Sequence, residues 1–420
     1  MEKIAFLFPG QGSHYVGMAK NIYDQFSIAK QTFEEANDIL GVDLSKLCFD
    51  GPLGELTKAE NAHAAILVSS VASFRVYMQE FGIVPQFCTG HSLGEYSALT
   101  CAGAIKFSDA VKIVRYRSTI TDEAVMAGDG AMTIIDGVDR NKVEEACRQV
   151  SKEIHYVAVS CYNSPEQTAI SGHKEAVMRV EEILLENDCQ VTPLVASAPF
   201  HSLLMQPVAD KLKVELNKYF YGYFKYPVIT NISAKPLTDP EKIIENLSSH
   251  LIKPVQWQAT MEYLKRKGVT LAIEMGTKNV MTKLVNTNVK GIESLCFGIK
   301  DDRKGIEEIL GAYPGLKKHI PTVVTRCLAI AVATPNRNFD IDEYTEKVIK
   351  SYKRIEEIQG EIETSGTKPS FENMTESLDL LKTIMTAKKV ELDEQIRWFN
   401  QIIDETGMYY VLKDYAIPAR

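Results

Sequence analysis

Pro85-Gln86-Phe87-Cys88-Thr89-Gly90-His91-Ser92-Leu93-Gly94-Glu95-Tyr96-Ser97-Ala98-Leu99 decides the fold of this 420-residue chain. Its first six residues read as a short buried strand, and a helix is expected from about Leu93 to Ala102. Between them Gly90-His91-Ser92-Leu93-Gly94 fits Gly-x-Ser-x-Gly, the pattern of a nucleophile elbow, whose glycines permit a sharp turn and leave room around the seryl oxygen. Ser92 would stand at a helix N-terminus, where backbone N–H groups and the helix dipole favour a developing oxyanion. Strand, tight turn and helix in succession predict an α/β core on a parallel sheet.

The same texture extends to both sides. Ile4 to Phe8 is an apolar run ending in Pro9-Gly10-Gln11-Gly12, a second buried strand entering a loop, with a helix expected near Met18 to Tyr23. Ala64 to Phe81 carries Ile66, Leu67, Val71, Phe74, Tyr77 and Met78 at helical spacing and stops at Gly82. From Gly128 to Ala196 the expected order is strand (Ala131–Ile135), helix (Asn141–Val150), strands (Val157–Ser160, Thr168–Ser171), helix (His173–Glu186) and strand (Val191–Val195), which is the ferredoxin-like succession. The α/β texture returns after Pro199 and lasts to about Leu310. Beyond it Tyr344, Val348, Tyr352 and Ile355 line a helix ending near Ile362. A Ser/Gly/Thr/Pro turn over Thr364–Ser370 follows, then one long helix from Glu372 to Glu405 with Gly407 as its stop, the two forming an antiparallel hairpin. Three regions are therefore expected: a catalytic α/β part over 1–127 and 197–310, a small inserted subdomain over 128–196, and a helical extension over 311–420.

Composition narrows the function classes. A net charge of −8 argues against a broad nucleic-acid surface, which needs clustered Lys and Arg. Eight cysteines lie scattered with no Cys-x-x-Cys pair, the usage of reduced core residues rather than of a metal site. The N-terminus lacks a basic stretch leading into a long apolar run, and Cys327–Ala333 is far too short to span a bilayer, so a cytoplasmic, monomeric protein with no membrane partner is expected.

A serine nucleophile needs a base. Of the eight histidines, His14, His63, His91 and His201 have motif-like settings, and His201, in Ala198-Pro199-Phe200-His201-Ser202, lies where the chain re-enters the sheet after the insert. Asp109, Asp122, Asp129 and Asp136 are candidates for an acidic third member by position only, and a dyad oriented by a neutral acceptor is equally open.

Phe8-Pro9-Gly10-Gln11-Gly12-Ser13, Gly90-His91-Ser92-Leu93-Gly94-Glu95-Tyr96-Ser97-Ala98-Leu99, Gly130-Ala131-Met132, Asn163-Ser164-Pro165, and Phe200-His201 with Met205 and Pro207 together resemble the malonyl-CoA:acyl carrier protein transacylase family over about residues 1–310. The resemblance implies an α/β-hydrolase-like large subdomain with a ferredoxin-like insert. It implies Ser92 as nucleophile and His201 as base, held by a main-chain carbonyl that position assigns to Gln256. The oxyanion would be bound by the amides of Gln11 and Leu93, and the malonyl carboxylate by Arg117. Phe200 matches the malonyl-preferring form of its motif, and Asn163 matches an active-site asparagine. His63-Ala64-Ala65 replaces the common Gln-Pro-Ala, leaving the role of His63 open, and Gly276-Thr277-Lys278-Asn279 replaces a Gly-Pro-Gly run. No cofactor is implied, only a coenzyme A thioester as donor and the phosphopantetheine thiol of an acyl carrier protein as acceptor. Residues 310–420, with Ile320-Pro321-Thr322-Val323-Val324-Thr325-Arg326, resemble the tail of discrete trans-acting acyltransferases of modular polyketide synthases; a helical brace and a docking element for carrier or synthase are equally open. Two rival functions share the residues: an acyl hydrolase clearing carriers, which Arg117 argues against, and a non-catalytic synthase-recruiting protein, which the intact set Ser92, His201, Gln11 and Arg117 argues against.

Overall fold

A six-stranded sheet organises the larger part of the protein, seen here in a computed structural model that describes residues 3–126, 128–152, 155–186, 189–194, 197–312, 322–406, 408, 412 and 415. Its strands are β1 (Ile4–Phe8), β2 (Phe87–Gly90), β7 (Val228–Ile229), β8 (Pro236–Leu237), β9 (Leu271–Glu274) and β10 (Glu293–Cys296), in the order β10-β9-β1-β2-β7-β8. All neighbours run parallel except β7 and β8, which pair antiparallel at one edge. Every residue of β1 and β9 is buried, as expected of central parallel strands covered on both faces. The carboxyl ends of β1 and β2 lie side by side, Leu7 opposite Thr89 and Phe8 opposite Gly90, so the loops that follow them meet at one edge of the sheet.

The inserted subdomain is a four-stranded antiparallel sheet, β3 (Gly130–Asp136), β4 (Val157–Tyr162), β5 (Gln167–His173) and β6 (Gln190–Pro193), ordered β4-β5-β3-β6. Helices Arg140–Val150 and Lys174–Leu185 cover it, and Val143, Cys147, Val177, Val180 and Leu184 build its core with Ile135, Val157 and Ile170. This is the ferredoxin-like order. Backbone bonds from Tyr162 N to Val255 O (2.8 Å) and from Val255 N to Ser160 O (2.9 Å) tie β4 to the segment that precedes helix Trp257–Arg266.

The chain divides into two compact units, Met1–Phe74 with Val84–Ile309, and Arg75–Ile83 with Leu310–Arg420. In the second, helices Val323–Ala333, Lys350–Ser365, Phe371–Ala387 and Leu392–Thr406 share one core of Val324, Cys327, Ile355, Ile358, Leu378, Leu381, Ile384 and Ile402. The single long helix expected from Glu372 to Glu405 is two. Lys389 takes φ +57°, a left-handed residue that ends a helix, and Lys388 turns inward so that its Nζ donates to the carbonyls of Ala331 (2.6 Å) and Thr334 (2.9 Å). Those donors cap the end of helix Val323–Ala333, an interaction no periodicity reveals. Gly407, Val195 and Ile320-Pro321 lie outside the described residues.

Candidate active site

The elbow forms between β2 and helix Gly94–Cys101, with Ser92 at φ +49°. A left-handed serine costs on the order of 1 kcal/mol, so its surroundings must hold it. The flanking glycines are obligatory. A Cβ on Gly90 would meet Gly94 carbonyl atoms at 2.0 Å, and one on Gly94 would meet the Phe8 carbonyl oxygen at 2.1 Å. The turn is pinned to the first strand by the His91 N–H, which donates to Phe8 O at 3.0 Å.

Ser92 Oγ and His201 Nε2 are 2.8 Å apart although 109 residues separate them. His201 also has positive φ, +60°, and its backbone N–H donates to Leu251 O at 2.8 Å. Its Nδ1 lies 2.8 Å from the carbonyl oxygen of His250. An N–H on Nδ1 therefore leaves Nε2 free to accept the seryl proton, the tautomer a general base requires. The orienting group is thus a main-chain carbonyl, but not that of Gln256. The Gln256 carbonyl accepts from Thr260 N (3.0 Å) and Thr260 Oγ1 (2.9 Å) inside the first turn of helix Trp257–Arg266. His250 instead ends helix Ile243–His250, where the last carbonyls have no intrahelical donors and are available. The imidazoles of His201 and His250 pack with centroids 4.9 Å apart.

Burial drives the His201 pKa down to about 3 against the pull of the His250 carbonyl, and the charges of Arg117 and the neighbouring His91 push the same way. The His201 imidazole is therefore neutral at neutral pH. None of Asp109, Asp122, Asp129 and Asp136 contacts His201 through a hydrogen bond or ion pair.

Arg117 comes from helix Phe107–Met126 and is 2% exposed. Its guanidinium lies over the rings of Phe200 (4.8 Å to the centroid) and Tyr96 (5.8 Å). Nε and Nη1 have no hydrogen-bond partner, and among the described residues no carboxylate pairs with the charge. Burial lowers its pKa, yet a guanidinium stays protonated, so this is a buried cation with no acidic partner among the described residues. His63, buried in helix Ala59–Glu80, bonds Ser118 Oγ through Nδ1 at 2.7 Å, and burial first and the charge of Arg117 second hold it neutral. Phe200 and His201 follow one another, so the ring against Arg117 and the base are set by one turn of chain.

Gln11 sits in an exposed turn after β1, and Leu93 precedes the elbow helix. Among the described hydrogen bonds neither backbone amide has an acceptor, as an oxyanion hole needs. Asn163, between β4 and β5, accepts at Oδ1 from His91 Nε2 (2.7 Å) and is buried at 6% exposure; the structure brings it to the elbow histidine. The structure thus gathers Ser92, His201, Arg117 and Phe200 at one place, with Asn163 reaching it through His91 and His63 lying by Arg117.

Four further residues went unassigned in the sequence. His250 carries the orienting carbonyl. Asn231, after β7, accepts the Ser92 N–H at Oδ1 (2.8 Å) and donates from Nδ2 to Gly90 O (2.6 Å). Glu95 accepts from Asn231 and, at its other oxygen, from Asn246. A polar residue at the carboxyl end of a parallel strand was the available signal for Asn231. A backbone carbonyl such as that of His250 leaves none.

Residues 5–313 match the acyl transferase domain family. A malonyl CoA-acyl carrier protein transacylase of Bacillus subtilis is 36% identical over 397 residues, 94% of this chain and 99% of its own length. Its namesake in Escherichia coli strain K12 is 42% identical over 285 residues, covering 68% of this chain and 92% of that protein. Among solved structures, the malonyl-transacylase PlMCAT, in complex with the type II polyketide synthase acyl-carrier protein AntF, superposes with a TM-score of 0.71 at 38% identity, over 73% of this chain and 99% of that one. Its α/β sheet, antiparallel insert, elbow and histidine accordingly place this chain in the acyl transferase domain family, among the malonyl-CoA–acyl carrier protein transacylases.

Proposed function

We propose that the chain transfers a malonyl group from coenzyme A to the phosphopantetheine thiol of an acyl carrier protein through malonyl-Ser92. His201 Nε2 takes the proton of Ser92 Oγ as the oxygen attacks the thioester carbonyl. The tetrahedral oxyanion is held by the amides of Gln11 and Leu93; its collapse expels the coenzyme A sulfur, which leaves with the proton from His201. The carrier thiol then gives its proton to His201, attacks malonyl-Ser92 through a second tetrahedral species, and Ser92 recovers its proton. No redox step or metal is called for.

The observation that carries the malonyl assignment is the buried, carboxylate-free guanidinium of Arg117. Its two open N–H directions suit a carboxylate bound by paired hydrogen bonds, and Phe200 against it closes the cavity toward a bulkier 2-methyl group. Discrimination of one methyl is worth only about 1–3 kcal/mol, so some leakage is expected.

Polyketide assembly served in trans is the setting we favour. The Bacillus subtilis relative aligned over 94% of this chain extends the likeness through much of the helical region, whereas the Escherichia coli enzyme aligns over 68%. Mass spectrometry of purified carrier proteins, from fatty-acid and polyketide systems, after incubation with the enzyme and a panel of acyl-CoAs tests both parts of the proposal. Malonylated polyketide carriers are the expected product. Free malonate accumulating over repeated turnovers without carrier would instead establish a hydrolase.

A further inference from the structure

One buried carboxylate beside the nucleophile has no place in that chemistry. Glu95 lies three residues after Ser92 in the first turn of helix Gly94–Cys101 and is 0% exposed. Its Oε2 accepts from the Asn231 backbone N–H (2.9 Å) and from Asn231 Nδ2, and its Oε1 accepts from Asn246 Nδ2. Among the described residues no cation pairs with it. Burial pushes its carboxyl up to about 7, and these three donors work against that rise.

The two asparagines lead to the two halves of the dyad. Asn231 clamps the elbow at both ends, accepting from Ser92 N–H and donating to Gly90 O, and so holds the left-handed backbone of Ser92. Asn246 lies one helical turn before His250, in the helix whose final carbonyl orients His201. We propose that Glu95 is a positioning residue that couples the nucleophile to its base, fixing the Ser92–His201 geometry through Asn231 on one side and Asn246 on the other. It touches neither substrate nor the reacting atoms. An acceptor-only side chain is required there, because all three groups facing it are N–H donors; a glutamine of the same shape would set its own NH2 against one of them.

The inference rests on the Ser92–His201 reading, and its test separates the two. Labelling of the full chain by a fluorophosphonate reports Ser92 reactivity without malonyl-CoA, carrier or Arg117. For Glu95→Gln we expect labelling and kcat for malonyl transfer to fall together by about 30- to 100-fold, the cost of sub-ångström misplacement, with KM for malonyl-CoA within about twofold. Asn246→Ala should lose about five- to tenfold in kcat. In Asn231→Ala/Asn246→Ala the combined loss should be smaller than the product of the single losses, because both act through one carboxylate. A folded Glu95→Gln enzyme with parental labelling and kcat overturns the proposal. If that variant does not fold, parental kcat in Asn246→Ala overturns it. Failure of the parent to label at Ser92 overturns the serine reading and this inference with it.

Discussion

Replacing Arg117 by methionine separates recognition from stability. In the parent the guanidinium is 2% exposed, lacks a carboxylate partner, and lies against the rings of Phe200 and Tyr96 at 4.8 and 5.8 Å. A bound malonyl carboxylate would add two charge-assisted hydrogen bonds of about 1.5–3 kcal/mol each, so their loss should lower kcat/KM for malonyl-CoA by about 10²- to 10⁴-fold. Acetyl-CoA presents no carboxylate, and its loading should hold or rise. The free protein should respond in the opposite sense to an ordinary core lesion. Methionine fills similar volume without an uncompensated charge, while the lost cation–π contacts are worth about 2 kcal/mol, so Tm should hold or rise by a few degrees. Arg117→Lys keeps the charge but not the planar fork and should recover only part of the malonyl rate. Steady-state loading with both thioesters and a thermal melt decide the matter. Equal losses for malonyl and acetyl, or a strongly lowered Tm, would refute the assignment of this cation to the cargo.

Ser92→Ala should abolish covalent labelling by radiolabelled malonyl-CoA while leaving fold and thermal stability near parental, since the hydroxyl makes one hydrogen bond. Gly90→Ala should give insoluble or inactive protein, measured by expression and circular dichroism, because its Cβ would overlap the Gly94 carbonyl at 2.0 Å. For His201, ¹⁵N NMR should show a neutral imidazole down to pH 5. The unfolded chain takes up a proton on His201 below about 6.5 that the folded one refuses, so stability falls as pH drops through that value; in chemical denaturation, His201→Gln should lose less than the parent between pH 7.5 and 5.

Local signals carried the sheet and the insert because both are built from short-range patterns: continuous apolar runs for β1 and β2, and a strand–helix alternation for 128–196. The nucleophile was equally legible, since only glycine tolerates the approaches at Gly90 and Gly94, and that requirement is written as a motif. The orienting carbonyl was not. Any residue supplies a carbonyl, and which one faces His201 depends on where helix Ile243–His250 ends, a boundary set by tertiary packing rather than by composition. The break at Lys388–Lys389 is not legible for a related reason: two lysines read as a solvated helical face until the carbonyls of Ala331 and Thr334 are brought beneath one of them.

A carbonyl in place of a carboxylate behind His201 has an electrostatic logic in this cavity. A buried aspartate there would face the uncompensated charge of Arg117 and neutralise the cation before any cargo arrived. With His250 O as orienter, Arg117 keeps its charge, and after burial, the larger cause, that charge also depresses the basicity of His201. A malonyl carboxylate seated on Arg117 would cancel this repulsion and so raise the basicity of His201, whereas acetyl would leave it as it is. The acid limb of the kcat profile, which reports the enzyme–substrate complex, should therefore differ between the two thioesters, with His201 more basic under malonyl. Superimposable profiles for malonyl and acetyl would separate Arg117 from the base and confine it to binding.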